Sequence, residues 1–252
     1  MNNNLNIQTF IEPGREMDIN LYVQLMTEVK QRTTSIQNIL NGTHTTGGAE
    51  TDAEFMCLQI RKILELIAMG SIVANKEEFE ATCNKFNNYW NARLILQDIE
   101  RLNPDFYPKA LIEIRLETGP AKSRIEEKTS GFLTRDEFVK VYEKCGKFMH
   151  SYNPYGSHHD IDYYIANIPV WFNKIIGLLN CHLIRLIGAT NFFLIHMQED
   201  GDDKVHGYNF GMLSSKQNMY NEPTPIANSH LAIKEVTDAS GNIRTKVFKS
   251  TD

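Results

Sequence analysis

The sequence predicts a mainly α protein, a helical bundle with a small antiparallel β appendage at its C-terminus. Long stretches of residues 1–187 repeat apolar side chains at helical spacing. Beyond them, short apolar runs alternate with turn signals such as Asp200-Gly201. We therefore expect a helical domain over residues 1–187. Residues 188–252 are expected to form a β appendage that is too small to bury its own core and packs on the helices.

The composition is that of an ordinary globular protein, with 42% hydrophobic and 23% charged residues in a chain of 252. The formal net charge is −5, so whole-molecule attraction to nucleic acid or to an anionic membrane is not indicated. The chain contains no CxxC pair, and we expect free buried thiols, which suit a reducing cytoplasm. The cysteines are Cys57, Cys83, Cys145 and Cys181.

No membrane association is expected. Residues 1–16 lack a basic segment followed by an apolar run, which argues against a secretory signal. Residues 164–187 form the most apolar stretch, but Asn, Lys, His and Arg side chains interrupt it, so a buried helix is expected there.

The first two helices are expected over residues 17–40 and about 51–74. The first carries an apolar stripe and ends at Asn41-Gly42. The second is apolar almost all round, which predicts a position in the middle of the bundle.

A third helix is expected from Asn75, with Glu78 in a capping arrangement, to Asn103-Pro104. Its predicted inner face consists of Phe79, Cys83, Phe86, Trp90, Leu94 and Ile99. Ile112, Ile114 and Leu116 then alternate with charged residues, as in a half-buried strand. Residues 118–131 are polar and are expected to form a loop.

The fourth helix begins with Thr134 and Glu137 at capping-box spacing and is expected to end at Asn153-Pro154. Its apolar face repeats at helical spacing, and His150 falls near its C-terminus beside Lys144 and Lys147.

A fifth helix is expected from His159 or Ile161 to Leu186, with Pro169 within or near its start. The appendage then offers two candidate hairpins, NFFLIHMQ with KVHGYNFGM and SHLAIKEV with IRTKVF, joined by an irregular connector over residues 213–229.

The segment GSHHDIDYY concentrates His158, His159, Asp160 and Asp162, residue types that can bind transition metals. Adjacent residues point in different directions, so we favour a helix start in which Asp160 or Asp162 caps the first turn. The remaining histidines are scattered, and no metal site or cofactor is expected. Serine-nucleophile, P-loop, G-x-G-x-x-G and H-E-x-x-H patterns are absent.

Three segments carry a resemblance to a known superfamily: ETDAEFMCLQIRKILELIAMGSI, YWNARLILQDIERLNPDFYP and FVKVYEKCGKFMHSYNPY. With the order of the elements, they resemble the HEPN superfamily, helical domains found widely in bacterial toxins and phage-defence proteins. They look most like an uncharacterised bacterial group of that kind. The resemblance covers roughly residues 17–186 and leaves the β tail unexplained.

The resemblance implies a candidate site. In ribonuclease members an Arg four to six residues from a His acts on the 2′-hydroxyl of RNA at a dimer interface, without metal. Here His150 can take the place of the histidine, but Lys144 stands at the position of the arginine. A lysine lacks the bidentate grip of a guanidinium on phosphate. Lys147 is a second candidate for holding phosphate, and Arg61 or Arg93 could supply the missing positive group.

Structural roles compete with these assignments. Arg61 and Glu65 lie four residues apart on one helix and can neutralise each other. Glu143, Lys147 and His150 share a helix face and can form a local cluster, and His150 can simply cap the last helical turn.

Two classes of function follow. One is an interaction or nucleic-acid-associated module of bacterial stress or phage defence, catalytically weak or silent, such as an antitoxin, sensor or scaffold. The other is a metal-independent endoribonuclease using His150 and Lys144. The lysine in place of arginine favours the first. The expected partners are a second copy of the chain, RNA and a protein encoded in the same operon. The resemblance and exposed aromatic residues suggest the homodimer; the aromatic residues are Trp90, Tyr152, Tyr155 and Trp171.

Overall fold

The computed structural model describes residues 19–75, 91–116, 123–151, 155, 160–185, 191–199, 201–211, 231–236 and 245–250. The described helices are α1 (Ile19–Leu40), α2 (Ala49–Ala74), α3 (Ala92–Leu102), α4 (Arg135–Phe148) and α5 (Ile161–Leu179). The described strands are β1 (Lys109–Arg115), β2 (Ser123–Glu127), β3 (Cys181–Arg185), β4 (Asn191–His196), β5 (His206–Gly211), β6 (Leu231–Val236) and β7 (Thr245–Ser250).

The second helix, α2, lies at the centre of the bundle. It contacts α1, α3, α4 and α5. A helix that is apolar on most of its circumference needs neighbours on all sides, so its predicted central position is confirmed. Its buried residues include Ala53, Met56, Cys57, Ile60, Ile63, Leu64, Ile67, Ala68 and Ile72.

The strands form one antiparallel sheet in the order β5-β4-β3-β1-β2-β6-β7. Five of them, β3 to β7, come from the C-terminal part of the chain. The predicted class, mainly helical with an antiparallel sheet in the C-terminal part, is confirmed. Both predicted hairpins are antiparallel pairs, β4 with β5 and β6 with β7. Gly201 adopts a φ of 78° in the turn of the first hairpin.

The sheet has two apolar faces. One face packs on the helices and contributes Ala110, Ile184, Phe193, Ile195 and Met197 to the main core. The opposite face carries a second apolar cluster of Leu111, Ile125, Cys181, Leu183, Leu194 and Tyr208. The two outer strands, β5 and β7, contact each other, so the sheet curls around this second cluster.

The fifth helix is shorter than predicted. It ends at Leu179, and CHLIR continues as β3 between β1 and β4. The first four residues of β3 are all buried. A short strand covered on both faces reads as a continuous apolar run, which periodicity alone does not distinguish from a buried helix. β3 therefore pairs across the predicted domain boundary at residue 187, and the division itself stays a prediction.

The sheet also takes strands from the middle of the chain, where the predictions were only partly correct. The loop expected over residues 118–131 contains β2, which pairs with β1. The strand β1 was expected, but its buried face was misassigned: Leu111 is buried, whereas Ile112 is 47% exposed. Successive residues of a strand point to opposite faces, so the burial of Leu111 places Ile112 on the exposed face.

The third helix begins, within the described residues, at Ala92. The Asn91 side chain accepts hydrogen bonds from the backbone N–H groups of Arg93 and Leu94, so a new helix starts where a continuous one was expected. Leu94, predicted to face inward, is exposed. The predicted inner residues Phe79, Cys83, Phe86 and Trp90, and the capping partner Glu78, lie outside the described residues.

None of the described helices combines the length and the hydropathy needed to cross a bilayer.

Candidate functional site

The candidate site is built on α4, whose first turn is fixed by the predicted capping box. The Glu137 N–H donates to Thr134 Oγ1 at 3.3 Å, and the Thr134 N–H donates to Glu137 Oε2 at 3.1 Å. Lys174 on α5 also donates to Glu137. That bond first, and the capping bonds after it, lower the pKa of the Glu137 carboxyl. These contacts fix the start of α4 relative to α5.

The apolar face of α4 packs against α2 and α5. The Phe148 ring stacks on Tyr164 of α5 with a centroid distance of 3.9 Å. Cys145 lies beside Cys57 of α2, and the hydrogen bond between the two thiols, together with burial, raises the pKa of Cys145. Cys57, Cys145 and Cys181 are buried thiols as predicted, whereas Cys83 lies outside the described residues.

Three exposed lysines follow one face of α4: Lys140, Lys144 and Lys147. Their spacing of four and three residues places them on one line along the helix. The Lys144 ammonium lies 4.9 Å from the centroid of the Tyr163 ring, a cation–π geometry. The Tyr164 hydroxyl donates to the Lys144 backbone carbonyl at 3.2 Å. We call these three residues the lysine stripe. Lys140 was not singled out in the sequence, although its spacing from Lys144 and Lys147 was a signal for it.

His150 lies just beyond the end of α4. The helix ends at Phe148 with Met149 as its C-cap, earlier than the expected end at Asn153-Pro154. The His150 backbone N–H lies 3.4 Å from the Lys147 carbonyl oxygen, and the residue is exposed. His150 is therefore accessible at the C-terminal end of the lysine stripe, and its catalytic role stays a prediction. Asn153 and Pro154 lie outside the described residues.

Arg61 on α2 is bound within the protein. Its Nη2 donates to the Tyr142 hydroxyl at 2.6 Å, and its Nη1 donates to the Tyr142 carbonyl at 3.3 Å. Its Nε lies 3.4 Å from Glu65 Oε1, which also accepts from the Tyr142 hydroxyl at 3.3 Å. Burial is the main cause that raises the pKa of Tyr142. The expected Arg61–Glu65 pair is therefore present and joins α2 to α4.

The glycine at position 146 makes room for that network. A Cβ at Gly146 would lie 2.4 Å from Arg61 Nη1. This residue was not singled out in the sequence, because nothing in the local pattern shows that a distant arginine crosses the helix there.

Arg93, the second arginine candidate, binds Glu143. Arg93 Nη1 donates to Glu143 Oε1 at 2.7 Å, which links α3 to α4. This contact engages Glu143, the residue expected to form a cluster with Lys147 and His150. Both partners are about half exposed, so the pair contributes little to stability.

Arg61 and the lysine stripe occupy different faces of α4, whereas Glu143, which binds Arg93, lies beside Lys140 and Lys147. At about 100° per residue, Tyr142 and Gly146, which contact Arg61, are turned well away from Lys140, Lys144 and Lys147. What remains open is a row of ammonium groups that can bind anionic groups as point charges.

The segment before α5 forms the expected helix cap. Asp160 is the N-cap, and its Oδ1 accepts from the Tyr163 N–H at 3.0 Å. His158 and His159 lie outside the described residues. Among the residues that the structure describes, no group of three or more His, Cys, Asp or Glu side chains is arranged to hold a metal ion.

Comparison with known proteins gives no relative: no family model, no curated protein and no solved structure matches this chain.

Proposed function

We propose that this chain is a catalytically silent interaction module of bacterial stress or phage defence, which associates with RNA through the lysine stripe. The observation that carries the proposal is the engagement of Arg61, the candidate arginine that is held within the protein. Arg61 is bound to Glu65 and Tyr142, and Arg93 is bound to Glu143.

The chemistry of lysine supports a protein without catalytic activity. An ammonium forms no bidentate pair with a phosphate, so Lys144 is a poor substitute for an arginine in stabilising a developing phosphorane charge. Moving Arg61 to the stripe would leave the Tyr142 hydroxyl without its cationic partner, and Glu65 with only the ammonium of Lys62 at 3.9 Å. RNA binding has fewer requirements than RNA cleavage, since phosphate contacts need only accessible positive charges.

The RNA interaction is tested by salt-dependent binding. Lys144→Ala removes one phosphate contact and should weaken binding of a single-stranded RNA. The slope of log affinity against log salt should fall by roughly 0.7 for that contact. Fluorescence anisotropy over a salt series measures both quantities. Lys204→Ala, at an exposed lysine on the β4–β5 connection, is the matched control and should leave both unchanged. Equal salt slopes for the unmodified chain and Lys144→Ala would contradict RNA binding through the lysine stripe.

The silent form is tested by incubating the unmodified chain with a mixed RNA pool in the presence of EDTA. We expect intact RNA on the gel. Cleavage that survives repurification and disappears in His150→Ala would contradict the proposal.

A metal-independent endoribonuclease is the second candidate, because His150 is exposed beside the lysine stripe. In that case His150→Ala should reduce cleavage by about two to four orders of magnitude with little change in stability. If His150 only supports the helix end, the same substitution should lower stability by roughly 1 kcal/mol and change no activity.

The proposed partners are a second copy of the chain and a protein encoded in the same operon. The homodimer is supported by an exposed, largely apolar face of α5 formed by Ile165, Ala166, Pro169, Val170, Asn173 and Ile176. Trp171, expected to be available for this contact, is instead buried in the core, whereas Tyr155 is exposed. Trp90 and Tyr152 lie outside the described residues.

A second copy suits this face because antiparallel α5 helices bring opposite helix ends together. In a two-fold pair centred near Ile168, Asp162 in the first turn of one helix lies beside the last turn of the other. The positive N-terminus of each helix also lies beside the negative C-terminus of the other.

A further inference from the structure

A cluster of titratable side chains lies at one end of the sheet, on the face that points away from the helices. His196 is the last residue of β4 and is directly opposite Cys181 of β3 and His206 of β5. Only 4% of His196 is exposed. No sequence pattern singles out His196, because its neighbours come from distant segments.

Two carboxylates approach the same ring nitrogen of His196. Its Nδ1 lies 3.7 Å from Glu113 Oε2 on β1 and 3.7 Å from Glu199 Oε1, just after β4. The Tyr208 hydroxyl on β5 donates to that same oxygen of Glu199. The Tyr208 ring also meets the imidazole edge to face, with a centroid distance of 5.8 Å. His196 is therefore surrounded by two acidic residues and one hydroxyl, held by three different segments.

Other ionisable groups near His196 are either neutral or paired elsewhere. Cys181 is a buried thiol on the neighbouring strand. His206 Nε2 lies 3.6 Å from Asp202 Oδ2, and the His206 ring stacks on Tyr208. His182 points to the helix side of β3, where it binds Tyr22. Glu113 and Glu199 are therefore the charged groups that His196 meets most directly.

The comparison with His182 shows what the two carboxylates change. Both histidines are buried in the same sheet, but His182 contacts only a hydroxyl and a backbone carbonyl. Burial is the main cause that lowers the pKa of His182 to about 4, so this ring is neutral. A nearby carboxylate has the opposite effect, since it favours the protonated imidazole.

We propose that protonated His196 is a pH-sensitive clamp that ties the β4–β5 hairpin to β1 through Glu113 and Glu199. When the proton leaves, two carboxylates lie against a neutral ring; the ring is buried, and the side chains of Glu113 and Glu199 are 34% and 20% exposed. Their repulsion then loosens this end of the hairpin, which is joined to β1 through the pairing of β4 with β3. The clamp is closed while His196 keeps its proton, at neutral pH and below, and opens when the proton leaves at higher pH. This inference is independent of the function proposed above.

The first test is the charge state of His196 in the full chain. Histidine labelled with ¹³C and ¹⁵N reports ring protonation by NMR, and the signal lost in His196→Gln assigns the resonance. We expect the His196 ring to be doubly protonated at pH 7.0. A ring that is already neutral at pH 6.0 overturns the proposal, and this result needs only the folded unmodified chain.

The second test is local opening, measured by hydrogen exchange corrected for intrinsic rates. Protection of the β4 and β5 amides should fall about tenfold between pH 6.0 and pH 8.5, while α2 amides stay protected. Glu113→Gln removes one of the two repelling carboxylates and should reduce the fall, and His196→Gln should abolish it. His44→Gln, in the exposed loop after α1, should behave as the unmodified chain. An unchanged pH response in both Glu113→Gln and His196→Gln overturns the proposal.

Discussion

His182 illustrates how a single buried residue determines its own chemistry. Its Nδ1 lies 2.8 Å from the Leu179 carbonyl, which only accepts, so Nδ1 carries the proton. Nε2 is then the acceptor for the Tyr22 hydroxyl at 2.9 Å. Both ring nitrogens are satisfied in this neutral tautomer, and burial, which lowers the pKa to about 4, keeps the ring neutral. Tyr22 and His182 therefore join α1 to β3 through an uncharged pair.

This pair makes stability depend on pH. The pKa of His182 falls from 6.5 in the unfolded chain to about 4 in the fold. Its contribution is therefore complete above pH 6.5 and is lost as the pH falls towards 4. We expect the free energy of unfolding to be about 2 kcal/mol lower at pH 5 than at pH 7 on account of this residue. Urea unfolding at both pH values measures the loss.

His182→Gln is the control for that measurement, because it removes the titrating group. The variant is less stable at pH 7 but should lose about 2 kcal/mol less than the unmodified chain on acidification. Equal losses in the two proteins would assign the pH dependence to other groups.

At the scale of elements, helices with a local start signal were predicted well, and contacts between elements were not. The Thr134–Glu137 box and the Asp160 cap are short-range patterns, and both are present. The end of α5 is different, because CHLIR is a strand only through pairing with β1 and β4. The candidate site divides in the same way. The sequence identifies Lys144, Lys147 and His150, but the partners of Arg61 and Arg93 depend on how helices pack.

α4 and α5 each contain a glycine at which another part of the chain approaches closely. Replacing these two glycines with alanine should change the stability of the fold by different amounts. A Cβ at Gly177 of α5 would lie 2.0 Å from the backbone oxygen of Gly131, which has little freedom to move. A Cβ at Gly146 of α4 would meet the flexible end of Arg61. We expect Gly177→Ala to destabilise the fold by about 2 kcal/mol or more, despite the better helix propensity of alanine.

Gly146→Ala is the matched comparison and should be nearly neutral. It gains about 1 kcal/mol of helix propensity and loses a hydrogen bond of similar value between Arg61 and Tyr142. Chemical denaturation of both variants measures the difference, and equal stabilities would contradict the close approach of α5 to Gly131.

At the scale of the whole molecule, the division into bundle and sheet was predictable because periods of 3.6 and 2 separate clearly along most of the chain. The membership of the sheet was not predictable. β1 and β2 come from between helices, and only the fold places them beside β3 and β6. The role of the β tail therefore includes completing a sheet that the helical part begins.

The exposed face of α5 predicts that the chain forms a homodimer. Ile165 and Ile176 are 44% and 38% exposed on a face whose only charged residue, Asp162, stands at its start. Burying such a face against a second copy removes apolar surface from water. Light scattering at micromolar concentration should therefore give twice the chain mass of 28.9 kDa. Replacing both isoleucines with lysine should produce a folded monomer, because two ammonium groups per chain would meet across the two-fold axis. Leu58→Lys on α2, at a residue that is 38% exposed, should leave the dimer intact. A monomer for the unmodified chain would contradict the homodimer and also any ribonuclease site assembled from two copies of His150.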